Sequence, residues 1–506
     1  MKMSGKTMFK ALLGVVVITL GAVPTAEARR LEASSAEDIR KVSLVAGDTL
    51  VLKSGEWRDQ VVKLHAEGTQ EAPVCVVAEE NGKTIFTGAS KFAFSGHWVV
   101  VSGLWFKDIA GIKGEVLSTR TSTDKEAYNC TIKDCAITAM GAPMDPTDFK
   151  WVSLYGSENI VEGCSLLDKA NMGCTLVVWL REGVVPNHII RGNHFTRPRS
   201  LLGADGGSLN GQESIRIGTS HFSMQDGGCL VEGNYFYECN GEVEIISNKS
   251  CRNTYRGNLF RECLGTLTLR HGDYCVVESN IFDGGGVRGG GQYEGIDTCT
   301  GGIRLIGVGH KVVNNLLMNL TGRGYYAALS MIQGEPNSAL NGYFAADHCL
   351  VAHNTIYNCQ MGFNINHTSK RNKLAIKDND ILNNVVVNLS EDKKVENVKV
   401  GLNPEPPTDM RYGGNVLWGG KVKGLTAEEF GAEEVDPVLR DLKGVVGPLK
   451  KSWLDRNRVK AVAGVECDLL GQPRGEKTTA GALEVLGKIT TTLPSAKTCG
   501  VSWKIK

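Results

Sequence analysis

Charge of one sign is missing from this 506-residue chain: 56 Lys and Arg face 55 Asp and Glu. A near-zero balance removes the basic excess that sequence-independent nucleic-acid binding requires, so no nucleic-acid partner is expected. Proline is scarce, at 14 residues, beside 61 glycines and a hydrophobic fraction of 42%. No low-complexity stretch interrupts the chain, which argues against a long disordered segment and fits a large core. CxxC and HxxxH pairings are absent too, and with them the usual frameworks for zinc. Beyond the N-terminus no apolar run approaches the roughly 20 residues that cross a bilayer, so no membrane partner is expected.

At the N-terminus, Lys2, Lys6 and Lys10 precede the run ALLGVVVITLGAV, and Ala26-Glu27-Ala28 offers a small-residue cleavage site. Basic, apolar and small segments in that order form a secretory signal peptide over residues 1–28, cut after Ala28. The mature chain, 29–506, is therefore expected to be secreted or periplasmic. Export would ordinarily pair its cysteines, yet there are 15, an odd number. Cys239, Cys263 and Cys359 each lie five residues after an asparagine (Asn234, Asn258, Asn354). Cysteines at one phase of a repeat stack as small buried hydrophobes. Mostly free interior thiols are expected, with room for one or two bridges.

What the chain has in abundance is short apolar runs punctuated by Gly and Asn. After a segment of helical character (29–40) that suits an end cap, units recur: TIKDCAI, NIVEGCSL, HIIRGNHF, CLVEGNYF, TYRGNLF, CVVESNIF, KVVNNLL, CLVAHNTI and AIKDNDI. Their alignment superposes Cys135, Cys164, Asn193, Asn234, Asn258, Asn280, Asn315, Asn354 and Asn379. The shortest intervals are about 22 to 25 residues, and longer ones read as a coil plus an inserted loop. Helical repeats are disfavoured, because the units are β-branched and lack a 3.6-residue apolar period. The expected fold is all-β, a single-stranded right-handed parallel β-helix. The pattern fades after about Gly420, and residues 420–506 read as an extended tail laid along the same domain.

One stretch concentrates charge: NGEVEIISNKSCRNTYRGNLFRECLGTLTLRHGDY, residues 240–274. Strand residues i and i+2 share a face, which would align Glu242 and Glu244. A coil of 24 residues would stack Glu242 near Thr266 and Glu244 near Thr268, bring Arg270 into the same groove, and let Lys249 lean over it. The loop NGQES adds Asn210 and Glu213 from the previous coil, and GGIRLIG adds Arg304 from the next. Converging hard oxygens (Asn210, Glu213, Glu242, Glu244) suit Ca²⁺. Equally open at this point is simple pairing of Glu213 or Glu244 with Arg216 or Arg270. An acid cluster with Lys249 and Arg270 suits β-elimination of an acidic polysaccharide, where positive charge stabilises the carbanion-like state beside a uronate carboxylate. Like charge nearby favours the neutral amine a base needs, and Lys249 is the amine in reach. Arg304 and Arg323 offer guanidiniums for neighbouring carboxylates. A hydrolase would want two carboxylates facing each other across the bond, not side by side.

NGQESIRIGTS, GEVEIISNKSCRNTYRGN, GTLTLRHGDYCVVESN and TGGIRLIG together resemble polysaccharide lyase family 6, which holds alginate lyases and the dermatan-sulfate lyase chondroitinase B. The likeness runs from about Val45, through AGDTLVLKSGEW and VSGLWFKD, to about Asn388. It implies a right-handed parallel β-helix and Ca²⁺-assisted elimination, with Lys249 as base and Arg270 as acid. Asn210, Glu242 and Glu244 match the family's calcium ligands, and Glu213 matches in alginate-type members. His271 follows the arginine in the family's RHG pattern, either touching substrate or shaping a turn. Arg323 and Tyr343 fall at substrate-contact positions on later coils. NGQESIRIGTS and GGIRLIG are similar to the alginate branch, which implies a mannuronate-containing substrate. Dermatan sulfate, or non-catalytic glycan binding, is the alternative. Some family members carry a second β-helical domain for which this chain lacks room, so monomer and homodimer both stay open.

Overall fold

The structure, a computed structural model, describes residues 28–506 except Asp205, Glu294, Gly295, Leu486, Lys488, Thr490 and Lys506. The signal peptide expected over 1–28 lies, but for Ala28, outside the described residues. A strand, Arg30–Ala33, and a helix, Ala36–Lys41, open the fold. Ser35 caps the helix by accepting from the Asp38 N–H, and Ala36 and Ile39 face the core. The expected end cap is thus one strand and under two turns of helix.

From there the chain winds as a parallel β-helix with three faces. Two are 14-stranded parallel sheets, running from Arg30–Ala33 to Arg411–Gly413 and from Gly55–Arg58 to Ala432–Glu434. The third stacks strands from Val61–Glu67 to Lys421–Lys423. Equivalent residues stand directly above one another: Val231, Tyr255, Val277, Val312 and Val351 occupy successive rungs. Inside, Phe195, Phe236, Phe260 and Phe282 stack with ring centroids 4.8, 4.6 and 4.5 Å apart. Those distances are the rung spacing of a sheet, so one aromatic per coil extends the stack without a void.

The corner between the first two faces explains the sequence repeat. Gly192, Gly233 and Gly257 adopt φ of +61°, +61° and +62° there, and Ser279 and Asn314 follow at +55° and +56°. This left-handed residue turns the next side chain inward, and that residue is the repeating asparagine. Asn193, Asn234, Asn258, Asn280, Asn315, Asn354, Asn384 and Asn415 form a continuous ladder. Asn258 Oδ1 accepts from the N–H and Nδ2 of Asn234, both at 3.0 Å, while its own Nδ2 donates to Val231 O and Asn280 Oδ1, both at 2.9 Å. Asn379, aligned with this ladder from sequence, belongs to another: its Oδ1 accepts from the Cys349 N–H, as Asn253 does from Cys229 and Asn159 from Cys130. That second ladder turns the chain into the first face, and the Asn384 rung takes the place expected of Asn379. Every cysteine is a free thiol, all but Cys75 and Cys467 buried, so no bridge forms where the odd count left room.

Strands at 421–423 and 432–434 still continue the coil. The chain then runs back along the outside, packing Val445, Leu469 and Leu483 on Ile281, Leu316 and Met318. Ser502 and Trp503 finally donate to the carboxylate and carbonyl of Asp134. Among the described residues no helix is long and apolar enough to cross a membrane.

Two outcomes follow for stability. Asn258→Ala strips partners from buried donors on Asn234, so denaturant unfolding is expected to shift by about 1–3 kcal/mol; a change near zero refutes the ladder's structural role. Burial pushes His188 and His353 down to about 3, and His194 to about 4. The unfolded chain binds those protons near the ordinary histidine value and the folded chain does not. Stability is therefore fully present above pH ~6.5 and is lost as pH falls from there toward the folded values. Thermal midpoints measured across that range should drop steadily; a flat profile contradicts the neutral burial of these rings.

Candidate active site

Lys249 ends the strand Glu244–Lys249 and pairs with His271, which ends the next strand, Gly265–His271. The two coils therefore deliver Lys249 and Arg270 to one corner. The expected register does not hold at the acids: Glu244 stands opposite Thr266, and Thr268 opposite Ser247. The bend between Cys239 and Glu244 is two residues longer than its counterpart between Cys263 and Thr266. Those extra residues carry Glu242 in the bend rather than on the strand. Both acids still line one cavity of about 330 Å³ with Asn210, Lys249, Arg270 and His271.

Arg270 is held in place from several sides. It donates to Gly342 O at 2.9 Å and Asn341 O at 3.2 Å, stacks on the Tyr343 ring at 4.1 Å, and lies 3.8 Å from Glu244 Oε1. The Glu244–Arg270 pairing weighed from sequence is thus present, though long. The Ser247 hydroxyl donates to the other oxygen of Glu244. His271 Nε2 meets Ser220 Oγ at 3.2 Å. Burial, then Arg270 and Lys249, push this imidazole down to about 3, so it is neutral at physiological pH. Ser220 had no signal in the sequence, because its role depends on a short turn folding over the next coil.

The remaining predicted positions sit around this cavity at different depths. Tyr343 lines it and its hydroxyl accepts from Arg304 at 2.8 Å. Arg304, expected to face outward, is fully buried beneath that ring and stacks on Tyr325 at 4.6 Å. Loops from neighbouring coils cover its rung, which the strand period alone did not show. Arg323 lies apart from the cavity lining and pairs with Glu396 at 3.2 Å. Glu213 lies behind the cavity wall, fully buried, its Oε2 accepting from the Cys174 thiol at 2.9 Å. Beside it, buried Arg197 donates to Gln212 Oε1 at 3.0 Å, and Gln212 clamps the carbonyls of Leu201 and Leu209. That clamp anchors the loop presenting Asn210.

The donor set fits a hard cation. Glu242 is buried, its Oε1 has no hydrogen-bond partner, and its Oε2 meets only a long contact from Gly211 N–H at 3.4 Å. Burial, then Glu213 and Glu244, push its carboxyl well above the usual range. A buried acid orphaned among acids is costly unless positive charge compensates it. Glu242, Glu244 and the Asn210 amide are oxygen donors of the kind calcium takes. No cluster of three or more His, Cys, Asp or Glu with metal-holding geometry forms among the described residues; Glu213, bonded to the Cys174 thiol, stands apart from the three oxygen donors in the cavity lining.

The chondroitinase B family model matches residues 33–400. No curated protein matches in sequence. The PL6 family alginate lyase AlyGC superposes with a TM-score of 0.76 at 30% identity, over 94% of this chain and 59% of its own. This chain thus spans about three fifths of that relative. A mannuronic acid specific polysaccharide family 6 lyase from human gut microbiota superposes with a TM-score of 0.63 at 26% identity, over 80% of this chain and 85% of its own. A PL6 alginate lyase solved with a trisaccharide shares the fold, with a TM-score of 0.70 at 20% identity. A right-handed parallel β-helix carrying Lys249 and Arg270 at one corner beside paired glutamates, matched by that model over most of its length, belongs to polysaccharide lyase family 6.

Proposed function

We propose that this protein is an exported, calcium-dependent lyase that cleaves mannuronate-containing alginate by β-elimination, releasing oligosaccharides with an unsaturated uronate end. The observation that carries this reading is the convergence of Lys249, Arg270 and the orphaned Glu242 on one cavity. The likeness to alginate lyases, one of them mannuronic acid specific, supports the substrate class. Export is supported by the basic and apolar N-terminal segment.

The chemistry needs a proton removed from C5 of a uronate and the O4 bond broken on the neighbouring carbon. The Lys249 amine takes the C5 proton, the electron pair forms the C4–C5 double bond, and the C4–O4 bond breaks. Arg270, immobilised by Asn341, Gly342 and Tyr343, sets a guanidinium at the leaving oxygen, stabilises its charge and assists its protonation. The neutral imidazole of His271 can accept or donate a hydrogen bond to a sugar hydroxyl without adding charge. Glu242, Glu244 and Asn210 would hold calcium, which supplies positive charge opposite the substrate carboxylate and so makes the C5 proton more acidic.

Lys249→Ala and Arg270→Ala are each expected to lower turnover at least about a hundredfold, read as ultraviolet absorbance of the unsaturated product, with the far-ultraviolet circular dichroism unchanged. Retained activity in Lys249→Ala would falsify its role as base. Removing calcium with a chelator is expected to lower both activity and the thermal midpoint, and added Ca²⁺ to restore them; in Glu242→Gln the calcium-dependent shift of the midpoint should vanish. An enzyme indifferent to chelation means the acids form a charge network only. The chondroitinase B match favours dermatan sulfate as a second reading. A panel of defined alginate blocks and dermatan sulfate decides: product from the latter alone transfers the assignment, and binding without product points to a glycan-binding β-helix.

A further inference from the structure

A second cavity of about 440 Å³ opens on the same face of the solenoid, toward its N-terminal end, lined by Arg120, Tyr155, Trp179 and Arg181. Tyr155 and Trp179 stack with centroids 6.0 Å apart and planes within 10°. Both rings are fixed by their polar ends: the Tyr155 hydroxyl donates to Glu115 at 2.8 Å, and Trp179 Nε1 to Ser153 Oγ at 3.2 Å. Guanidiniums flank them, Arg120 at 3.6 Å from the Tyr155 ring and Arg216 at 5.2 Å from the Trp179 ring. Neither forms an ion pair among the described residues, and Arg216 Nε is buried without a hydrogen-bond partner. Arg181 lies 3.5 Å from Glu126 with half its side chain exposed. The lining is therefore aromatic and net positive, with Arg120 and Arg181 against the single carboxylate of Glu126, and Arg216 stands just beyond it against Trp179.

The register places it relative to the elimination site. Trp179 follows Val178, which pairs with Ile217, and the next residue, Gly218, pairs with Lys249. Trp179 thus occupies the corner of Lys249 two rungs earlier, about 10 Å away at the spacing of adjacent strands. Tyr155 occupies it one rung earlier still. Ser220, which holds His271, and Gln225, which bonds the Arg181 and Val184 carbonyls, belong to one short segment joining the two cavities.

A sugar ring offers an apolar face for stacking and, when it is a uronate, a planar carboxylate that a guanidinium grips. We propose that the Tyr155–Trp179 platform with Arg120, Arg181 and Arg216 binds a further uronate unit of the same polymer that is cut at Lys249, so that affinity grows with chain length. This rests on the proposed function, and the test separates the two. Kinetics are measured on mannuronate oligomers long enough to span both cavities and on short ones that are not. In Trp179→Ala and in Arg181→Glu the ratio of kcat/KM for long over short oligomers is expected to fall roughly tenfold. Arg181 is exposed enough that its variant tests the site even where Trp179→Ala misfolds, and an unchanged ratio in a folded variant overturns the platform. Calorimetric titration of long oligomers into Lys249→Ala, with and without Trp179→Ala, reads binding without turnover. Equal affinities overturn the platform whatever the lyase assays return, whereas a wild-type enzyme that cuts no uronate polymer overturns the proposed function.

Discussion

The asparagine ladder is the constraint on which the molecule depends. Each rung satisfies a buried N–H of the coil before it and passes its own amide to the coil after it, so the corner at Asn193 to Asn415 admits no drift in register. A buried amide left unpaired costs more than a made bond returns, which is why insertions are accommodated elsewhere in the coil. With this corner locked, the opposite side is free to vary in length.

That freedom builds the candidate site. The coils from Asn234 to Asn258 and from Asn258 to Asn280 span 24 and 22 residues and carry Glu242, Lys249 and Arg270. The coil before them spans 41 residues and the two after span 35 and 39. Their surplus forms the loops that bring Asn210 to one side of the cavity and Asn341 and Tyr343 to the other. Two bare rungs between decorated ones make a cleft, and the decoration fixes Arg270 from the solvent side.

Charge is distributed by the same logic. Acids are buried on the inner wall, where burial, then Glu213 and Glu244, raise the cost of ionising Glu242, while Arg197 beneath them anchors the Asn210 loop through Gln212. Cations line the outer wall and continue along the rungs before it, at Arg216 one rung away, Arg181 two and Arg120 further toward the N-terminal end. A linear polyanion laid along such a face meets positive charge at more than one unit.

The residues themselves determined the fold class, because a unit of β-branched residues closed by Gly-Asn can bury its apolar side only against a copy of itself. They also determined that Lys249 and Arg270 meet, since one coil separates them whatever the loops do. Only the tertiary structure decided depth and direction. A bend two residues longer than its neighbour took Glu242 off the strand, covering loops put Arg304 beneath Tyr343, and the Cys174 thiol of an earlier coil took up the Glu213 carboxylate. Spacing along a chain fixes which rung a residue occupies, but what covers that rung is set by segments far away in sequence, and no local period encodes them.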